Sequence, residues 1–509
     1  MSPARAAAFV LCLAFLSARP ALSMQKDDPL LEKSYNLSQR LGVPEKLYYL
    51  IELCRVSAQL QPPAARAKEW CIELYNLAST EQDPKLRTVA QKNAVTFLSY
   101  VDAPMAMELL TQISFQRPRP GQMVYEDPRY NAAEKTFVNY LKTAKPHDLG
   151  VIAAKAKFLG QTGQFPYRAV ATIIDQFAKQ LTGEINVILK DALGFYATET
   201  GFYNRDEEFL VLLQSLSHST VIDQDVAAQA ATTFVQHLKN DPIQLPGDYY
   251  GEVQLDSSGK VFPFTDRNAA FLFQAIPAIR QCNNSLATQL VQQDPKLDQT
   301  TTTGKMRYVS GGFVQGDPTS AEAAQQHSQW VQESLVNRIK ECQDSNPESA
   351  AQLAQRLSNS ESRILGFSAV LSGLARTNRE QARAIYQRQL SDLPSLTSSM
   401  SRFRAIAALV PPAYHVGDSK QYESLSAQAF DIGSRFFVED AKAGRTQNRK
   451  GFAELMGLVT FTALQPVDIL QQKVQGLPDD WLKAYLWLYE VEGHGKQNAQ
   501  APPPATCSK

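Results

Sequence analysis

Apolar residues recur three or four positions apart along most of the chain, which is the pattern of helices that bury one face. The clearest example runs from Asn346 to Leu393, where one pattern occurs twice, 32 residues apart. Its members are Asn346, Glu348, Ala350, Gln355 and Arg356 in the first copy and Asn378, Glu380, Ala382, Gln387 and Arg388 in the second. Between the copies, Ile364, Phe367, Leu371 and Leu374 share one helical face. Each copy predicts one helical hairpin of a stacked array, because a single hairpin is too small to bury its own apolar face.

A shorter motif inside these copies recurs elsewhere in the chain. It consists of Asp or Asn, then Ala four residues on, then Leu or Ile three residues beyond, at Asp102/Ala106/Leu109, Asn283/Ala287/Leu290, Asn346/Ala350/Leu353 and Asn378/Ala382/Ile385. Asp and Asn accept a hydrogen bond from the free N–H groups of a helix's first turn. Ala lets a neighbouring helix pack closely, and Leu or Ile fills the space between the two. The motif therefore predicts four helix starts in similar surroundings.

Three stretches break the helical pattern. Residues 114–130 are rich in Pro and Arg and predict a loop; Arg117 and Arg119 could hold an anionic ligand there, although an exposed charged loop is the simpler account. Residues 252–264 alternate apolar and polar side chains around a Ser-Ser-Gly turn, which predicts a short β-hairpin. Residues 298–317 are polar and Gly-rich and predict the longest loop in the body of the protein.

These features predict an all-α fold, an α-solenoid or helical-hairpin array with one short β-hairpin insertion near 252–264. An aromatic last helix, with Trp481 and Tyr485, is expected to cover the open end of the array. The predicted organisation is a signal peptide at 1–23, N-terminal helical hairpins at 24–113, the Pro/Arg-rich loop at 114–130, a middle helical block at 131–245, the β-hairpin-like insertion at 246–265, a C-terminal helical-repeat block at 266–490 and a disordered tail at 491–509.

The N-terminus has the pattern of a secretory signal. Arg5 gives a positive start, Ala6–Ser17 is apolar, and Ala21-Leu22-Ser23 is a small-x-small cleavage site. The apolar run is too short to span the roughly 30 Å of membrane hydrocarbon. We therefore expect an exported protein, periplasmic or secreted, with no transmembrane segment in the mature chain.

Export permits disulfides, so the cysteines gain a second interpretation. Cys54 and Cys71 lie nearly equidistant from the Pro62-Pro63 turn, and in an antiparallel helix pair they would face each other. A disulfide and two buried thiols are both consistent with this spacing. Cys282 and Cys342 are placed symmetrically about Gly312, which makes the same argument for a second pair. Cys507 would be left without a partner in the chain.

The charge and the motif content exclude several classes of function. Lys and Arg number 51, as do Asp and Glu, whereas nucleic acid and anionic surfaces require a concentrated positive field. The six histidines lack metal-ligand spacing, and neither a phosphate-binding Gly-rich loop nor a Gly-x-Ser-x-Gly elbow is present. Asp206, Glu207 and Glu208 could do acid–base work if buried, but at a helix start they more simply complement the helix dipole. The sequence thus predicts no catalytic, cofactor-binding or metal-binding residue.

At the level of residues 346–393, the chain resembles the tetratricopeptide-like and HEAT-like α-solenoids. Alternating helices, small residues at close contacts and a period in the thirties carry the resemblance, while the aromatic–Leu-Gly–Tyr series of the tetratricopeptide repeat is absent. The general look of the chain is that of an exported bacterial protein. Such solenoids bind proteins or peptides along a concave face, so the resemblance implies a scaffold or a protein- or peptide-binding protein without catalytic activity.

Two other interpretations stay open. One is a cell-envelope hydrolase whose site is assembled from distant helices, which a cleft with convergent buried carboxylates would favour. The other is an assembly subunit that oligomerises through its last helix or through Cys507. A long groove lined by exposed Asn, Gln and Tyr would instead favour the binding protein.

Overall fold

The computed structural model describes residues 29–144, 148–177, 179–180, 183–240, 248–255, 261–300, 306–314, 346–443, 449–465, 467–477 and 480–498, with single positions between 325 and 343. The helices before residue 248 are α1 (Pro29–Ser38), α2 (Val43–Gln59), α3 (Ala67–Ser79), α4 (Pro84–Leu98), α5 (Ala103–Gln112), α6 (Tyr130–Thr143), α7 (Leu149–Thr162), α8 (Tyr167–Phe177), α9 (Glu184–Thr198), α10 (Arg205–His218) and α11 (Gln224–Asn240). The predicted signal peptide lies outside the described residues.

A small sheet and two helices follow, and the C-terminal helices complete the fold. The sheet comprises β1 (Asp248–Leu255), β2 (Val261–Phe264) and β3 (Met306–Val314), with α12 (Arg267–Cys282) and α13 (Asn284–Gln293) between β2 and β3. The remaining helices are α14 (Pro347–Gln355), α15 (Ser360–Thr377), α16 (Arg379–Asp392), α17 (Ser399–His415), α18 (Ser419–Lys442), α19 (Phe452–Leu464), α20 (Asp468–Gln475) and α21 (Asp480–Asn498).

The helices form two layers of a solenoid-like array. The inner layer consists of α2, α4, α6, α8, α10 and α12, followed by α15, α17, α19 and α21, and each of these helices packs against the next within its run. The helices between them form the outer layer, whose consecutive members pack less extensively on one another. An array that is tighter on one side curves towards that side, so the inner layer lines the concave face.

The recurring Asp/Asn–Ala motif begins outer helices. Asp102, Asn283, Asn346 and Asn378 all cap the helix that follows, each accepting a hydrogen bond from the backbone N–H three residues on, with φ between −146° and −152° and ψ between 73° and 85°. The alanines of the motif are fully buried. Three of the capping residues also end the preceding inner helix, because their own N–H groups bond to Leu98, Ile279 and Leu374. The motif therefore makes the sharp corner between layers.

The β-hairpin is present, and it is part of a larger sheet. Strand β1 pairs antiparallel with β2, so the predicted hairpin near 252–264 is confirmed. Strand β3 also pairs antiparallel with β1, which makes the prediction of a loop over 298–317 wrong. Two glycines in β3 face Tyr250 and Gly251 across the ladder and interrupt the alternation by which a strand is recognised. The sheet rests on α12, where Phe262 and Phe264 contact Phe273.

Helices α2 and α3 hold the two cysteines of the first hairpin face to face. The Cys54 and Cys71 sulfurs are joined in a disulfide, and the Cα atoms lie 5.1 Å apart. Both residues are fully buried in the core of this hairpin. The bond closes the stretch of chain that contains the Pro62-Pro63 turn.

The second predicted pair, Cys282 with Cys342, is wrong for Cys282, which is a free and buried thiol. The prediction assumed a helical hairpin that turns at Gly312, but Gly312 lies inside β3 and pairs with Tyr250. Cys342 lies outside the described residues. Burial raises the pKa of Cys282 to about 11, so the thiol stays protonated and unreactive at neutral pH.

The last helix does not cover an open end of the array; it packs on the first helix. Ser34 of α1 donates to the carbonyl oxygen of Ala484 at 2.6 Å, and Tyr49 of α2 is hydrogen-bonded to the same serine at 2.5 Å. Near the other end of α1, Arg40 forms an ion pair with Asp480 at 2.9 Å. Helix α1 thus runs antiparallel to α21 and takes the place of the outer helix that would follow it.

Helix α21 also lies beside α2, and the two run parallel, as successive inner helices do. Tyr489 donates to Glu52 at 2.7 Å, and Arg55 donates to Glu492 at 2.8 Å. The Tyr49 and Tyr485 rings meet edge to face at 5.5 Å. The two ends of the chain therefore build one shared hairpin, and this hairpin closes the array.

The predicted disordered tail begins too early. Helix α21 continues to Asn498, so the prediction is wrong for 491–498, and residues 499–509 lie outside the described part. Gly493 and Gly495 look like helix breakers in the sequence, but they are sites of close packing. A Cβ at Gly493 would lie 2.6 Å from the carbonyl oxygen of Thr460 in α19, and one at Gly495 would meet Leu60 beside α2.

Replacing Gly493 by Ala should destabilise the protein by about 1–3 kcal/mol, because the new methyl group overlaps the backbone of α19. Gly194→Ala in α9 is the matched control, since no atom lies within 4 Å of its added Cβ and helix propensity should stabilise it by up to about 1 kcal/mol. Denaturant unfolding of both variants measures the difference. Equal gains in stability from the two substitutions would contradict the close packing of α21 on α19.

Removing the disulfide by Cys54→Ala and Cys71→Ala should lower the free energy of unfolding by about 3 kcal/mol, because the unfolded chain loses a cross-link. Unfolding with and without reductant checks this. The wild-type midpoint should fall in reductant, whereas the double variant should not respond. Cys282→Ala should keep the wild-type response, and loss of that response would place the bond elsewhere.

Candidate functional site

The most concentrated chemistry in the described chain is a buried charge network on the inner helices α6, α8, α10 and α12. It starts in the Pro/Arg-rich loop, which is irregular as predicted up to the start of α6. Arg117 and Arg119 are exposed there, but Asp127 and Arg129 at the end of the loop are almost fully buried and paired at 2.7 Å. Gln164 continues the network, exchanging two hydrogen bonds with Asp127 and donating to Asn204 at 2.8 Å.

Asp206 connects two inner helices, α10 and α12, with the outer helix α9. Its carboxylate accepts hydrogen bonds from Arg267 of α12 at 2.7 Å, from Tyr196 of α9 at 3.0 Å and from Arg205 at 3.2 Å. Burial alone raises the pKa of such a carboxyl, but the two guanidinium groups outweigh burial and hold the pKa of Asp206 below its ordinary value. Asp206 is therefore a charged anchor between α9, α10 and α12.

Glu199 and Glu208 are two further buried carboxyl groups of the network. Glu199 is fully buried and accepts from the Phe165 N–H at 2.9 Å and from the Tyr167 hydroxyl at 3.1 Å, and burial raises its pKa to about 8. Glu208 accepts from both nitrogens of an Arg168 fork at 2.8 Å and from Tyr130 at 3.1 Å. Burial also raises the pKa of Glu208, to about 7, against the opposing charge of Arg168.

These carboxylates hold helices together. Each oxygen of Glu199, Asp206 and Glu208 accepts at least one hydrogen bond from a neighbouring helix or loop. A general acid or base needs an oxygen that can reach a substrate. Asp206 and Glu208 lie in the first turn of α10, as the sequence predicts, and the inner layer buries this helix start between α8 and α12.

Stability should fall as the pH rises from about 5 to about 8 through the titration of Glu199. The folded protein binds this proton more tightly than the unfolded chain, whose ordinary pKa is 4.5, so the contribution is complete below that pH and is lost towards 8. Each unit of pKa difference is worth about 1.4 kcal/mol.

The variant Glu199→Gln keeps the shape of the side chain and removes its proton, so its unfolding free energy should fall less between these two pH values. The raised pKa of Glu208 should leave this variant with a smaller dependence of the unfolding free energy on pH. Glu423→Gln, at an exposed position in α18, should retain the full wild-type slope. An unchanged slope in Glu199→Gln would show that Glu199 is ionised throughout.

A groove of about 580 Å³ spans the inner helices α15, α17 and α19, and we call it the inner groove. One end is set by Arg404 of α17, which pairs with Glu454 of α19 at 3.0 Å and lies 3.7 Å from Glu361 of α15. Along α15 the lining runs from Leu365 to Arg376, a rise of about 16 Å. Small side chains line the middle of the groove: Ser368, Ala369, Ser372, Ala407, Ala408 and Gly457.

Two further hollows are present. One, of about 520 Å³, includes Tyr414, His415 and Tyr422, whose rings cluster around Phe461, a residue that also lines the inner groove. The other, of about 470 Å³, lies at the closing hairpin and is lined by Tyr48, Tyr485 and Phe452 among others. The first lies at the turn between α17 and α18, and the second lies on the inner helices α2, α4, α19 and α21.

Within the described ranges, no group of three or more His, Cys, Asp or Glu is arranged to hold a metal ion. No described helix is long and apolar enough to cross a membrane. Sequence reasoning missed the inner groove because its lining consists of small residues at ordinary helical spacing, which also occur in any packed core.

No family model matches this chain, and no curated protein matches it. Solved structures do match it at low similarity. One is the crystal structure of Ton1535 from Thermococcus onnurineus NA1, which is 10% identical, covers 90% of this chain and 94% of its own, and has a TM-score of 0.19. Another is a circular tandem repeat protein with novel repeat topology and enhanced subunit contact surfaces, 11% identical, with 92% and 96% covered and a TM-score of 0.17. TM-scores this low do not establish a shared fold. The helical-repeat fold is therefore assigned from the packing of helices within this chain.

Proposed function

We propose that the protein is an exported helical-repeat scaffold that binds a protein or peptide segment on its concave face and has no catalytic activity of its own. The observation that carries this proposal is the inner groove, which is open, elongated and lined by both polar and small apolar residues on consecutive inner helices. Its length of about 16 Å along α15 fits a peptide segment better than a compact metabolite.

Two features of the chain support the wider proposal. The N-terminal sequence supports export, and the Cys54–Cys71 bond is of a kind that persists in oxidising compartments. The alternation of inner and outer helices supports a relationship with the tetratricopeptide-like or HEAT-like solenoids, which bind their ligands in this way.

The alternative of a cell-envelope hydrolase gains little support. Convergent buried carboxylates exist at Glu199, Asp206 and Glu208, but tyrosine, arginine and backbone donors occupy their oxygens. Oligomerisation through the last helix is likewise disfavoured, because α1 of the same chain already covers α21.

Blocking the inner groove should abolish partner binding. Ala408 lines the groove, so Ala408→Trp fills it, whereas Ala384→Trp places the same side chain on an exposed position of outer helix α16. The mature chain would be used to capture proteins from envelope extract, followed by mass spectrometry. We expect specific partners with the wild type and Ala384→Trp, and about tenfold or greater loss with Ala408→Trp.

Both variants should keep the wild-type unfolding midpoint within a few degrees, which separates blocking from misfolding. Partners that bind Ala408→Trp as well as the wild type would move the binding site away from the inner groove. Absence of any partner with a folded wild type would contradict the proposed function itself.

A further inference from the structure

Two consecutive prolines interrupt the hydrogen bonding of α17, the helix in the middle of the inner groove. Pro411 and Pro412 both lie inside this helix. Proline has no backbone N–H, so the carbonyl oxygens four residues earlier, at Ala407 and Ala408, lose the donor that a regular helix provides. Because an interior proline destabilises a helix, two of them in an inner helix call for an explanation.

The interruption opens on the inner groove. Arg404, Ala407, Ala408 and Pro411 all line the groove, and their spacing of three and four residues places them on one face of α17. A helical carbonyl points along the axis towards the residue four positions on. The Ala407 oxygen therefore points towards Pro411 along the groove face, and it must take its hydrogen bond from solvent or from a ligand. Pro412 is buried, so the freed carbonyl of Ala408 lies nearer the core.

The α15 side of the groove carries hydroxyl groups. Ser368 and Ser372, about one helical turn apart, both line it. The Ser368 side chain is 6% exposed, and its Oγ has no hydrogen-bond partner within the described part of the chain. A serine hydroxyl can donate to a carbonyl oxygen and can accept from an N–H group. The groove thus presents a main-chain acceptor on α17 and hydroxyl groups on α15.

An extended peptide main chain matches this arrangement, whereas a helical one does not. The interior N–H groups of a helix are used by its own hydrogen bonds. An extended segment has free N–H and C=O groups and rises by about 3.3 Å per residue, so roughly five residues fit a groove of about 16 Å. Ala369, Ala408 and Gly457 carry small side chains or none, so a ligand main chain can approach the helices closely.

We propose that the inner groove binds an extended peptide segment of a protein partner through its main chain, with one N–H group of the segment donating to the Ala407 carbonyl that Pro411 leaves free. This inference rests on the proposed function and specifies how the ligand is recognised. Every residue except proline offers a main-chain N–H, and the small lining residues contribute contact area without selecting a side chain. The groove therefore selects an extended conformation more than a particular sequence.

The probe is a peptide selected against the full mature protein from a random library of roughly ten residues, about twice the length that the groove holds. Ala408→Trp serves as the counter-selection that removes peptides bound elsewhere. Single amides of the enriched peptide are then replaced by esters, which removes one N–H and keeps the length of the main chain. One ester position should weaken binding by about three- to tenfold, because one hydrogen bond is lost. Fluorescence anisotropy measures the affinities.

Pro411→Ala supplies an N–H that pairs with the Ala407 carbonyl inside α17. This variant should bind the unmodified peptide about three- to tenfold more weakly, although loss of an interior proline should raise the unfolding midpoint. The ester that weakens binding to the wild type should cost little more in this variant, because both changes remove the same hydrogen bond. Misfolding cannot produce a loss of affinity together with a gain in stability.

Pro277→Ala in α12 is the matched control. Pro277 lies inside another inner helix, where it removes the helical donor of the Phe273 carbonyl, and it does not line the inner groove. This variant should also raise the unfolding midpoint, and it should leave the affinity for the peptide unchanged. A fall in affinity equal to that of Pro411→Ala would indicate a general effect of removing a proline and would overturn the proposal.

The remaining outcomes separate this inference from the proposed function. If the ester costs the same in the wild type and in Pro411→Ala, or if the enriched peptides are helical by circular dichroism when bound, recognition through the Ala407 carbonyl is overturned and groove binding stands. Failure to enrich any peptide, while captured partners still depend on an open groove at Ala408, also overturns it. If neither capture nor selection depends on Ala408, the proposed function fails as well.

Discussion

The contact between the first and last helices is the constraint on which the rest of the array depends. A solenoid normally exposes an apolar face at each end and needs a polar cap there. In this protein α21 supplies the inner helix and α1 the outer helix of one hairpin, so each end caps the other. Helix α1 has ten residues and would be marginal as an isolated helix in water. Its order therefore comes from the closing contact, in which Ser34 is hydrogen-bonded to Tyr49 and donates to the α21 backbone.

Closure also places the functional surfaces. Because the inner layer is the tighter one, its helices line a concave face that runs through the inner groove, the hollow at Tyr485 and the first hairpin. The buried charges lie in a different part of the same layer, where Asp206 and Glu208 fix successive helices at defined distances. Hydrogen bonds to both oxygens of Asp206 and Glu208 fix that part of the layer, whereas the inner groove is an open cavity of about 580 Å³.

The sequence predicts the local features well. The caps at Asn346 and Asn378, the hairpin of α2 and α3, and the β-hairpin near 252–264 all follow from short-range patterns, and the structure contains them. The features that the sequence does not predict depend on contacts between distant parts of the chain. Strand β3 pairs with β1 across more than fifty residues, as Gly251 opposite Gly311 illustrates, and α1 meets α21 across the whole chain. Gly493 reads as a helix breaker because nothing local reveals that α19 lies against it. The inner groove was missed for the same reason, since a cavity depends on the relative positions of three helices.

Hydrogen exchange of the intact chain, followed by mass spectrometry of its peptides, tests the closing hairpin most directly. Amides of α1 should exchange as slowly as those of α2 and α21. A chain ending at residue 479 should exchange rapidly at 29–38, while α8, far from the closure, stays protected. If α1 exchanged as fast as an unfolded segment in the intact chain, or were unaffected by loss of α21, the array would be open.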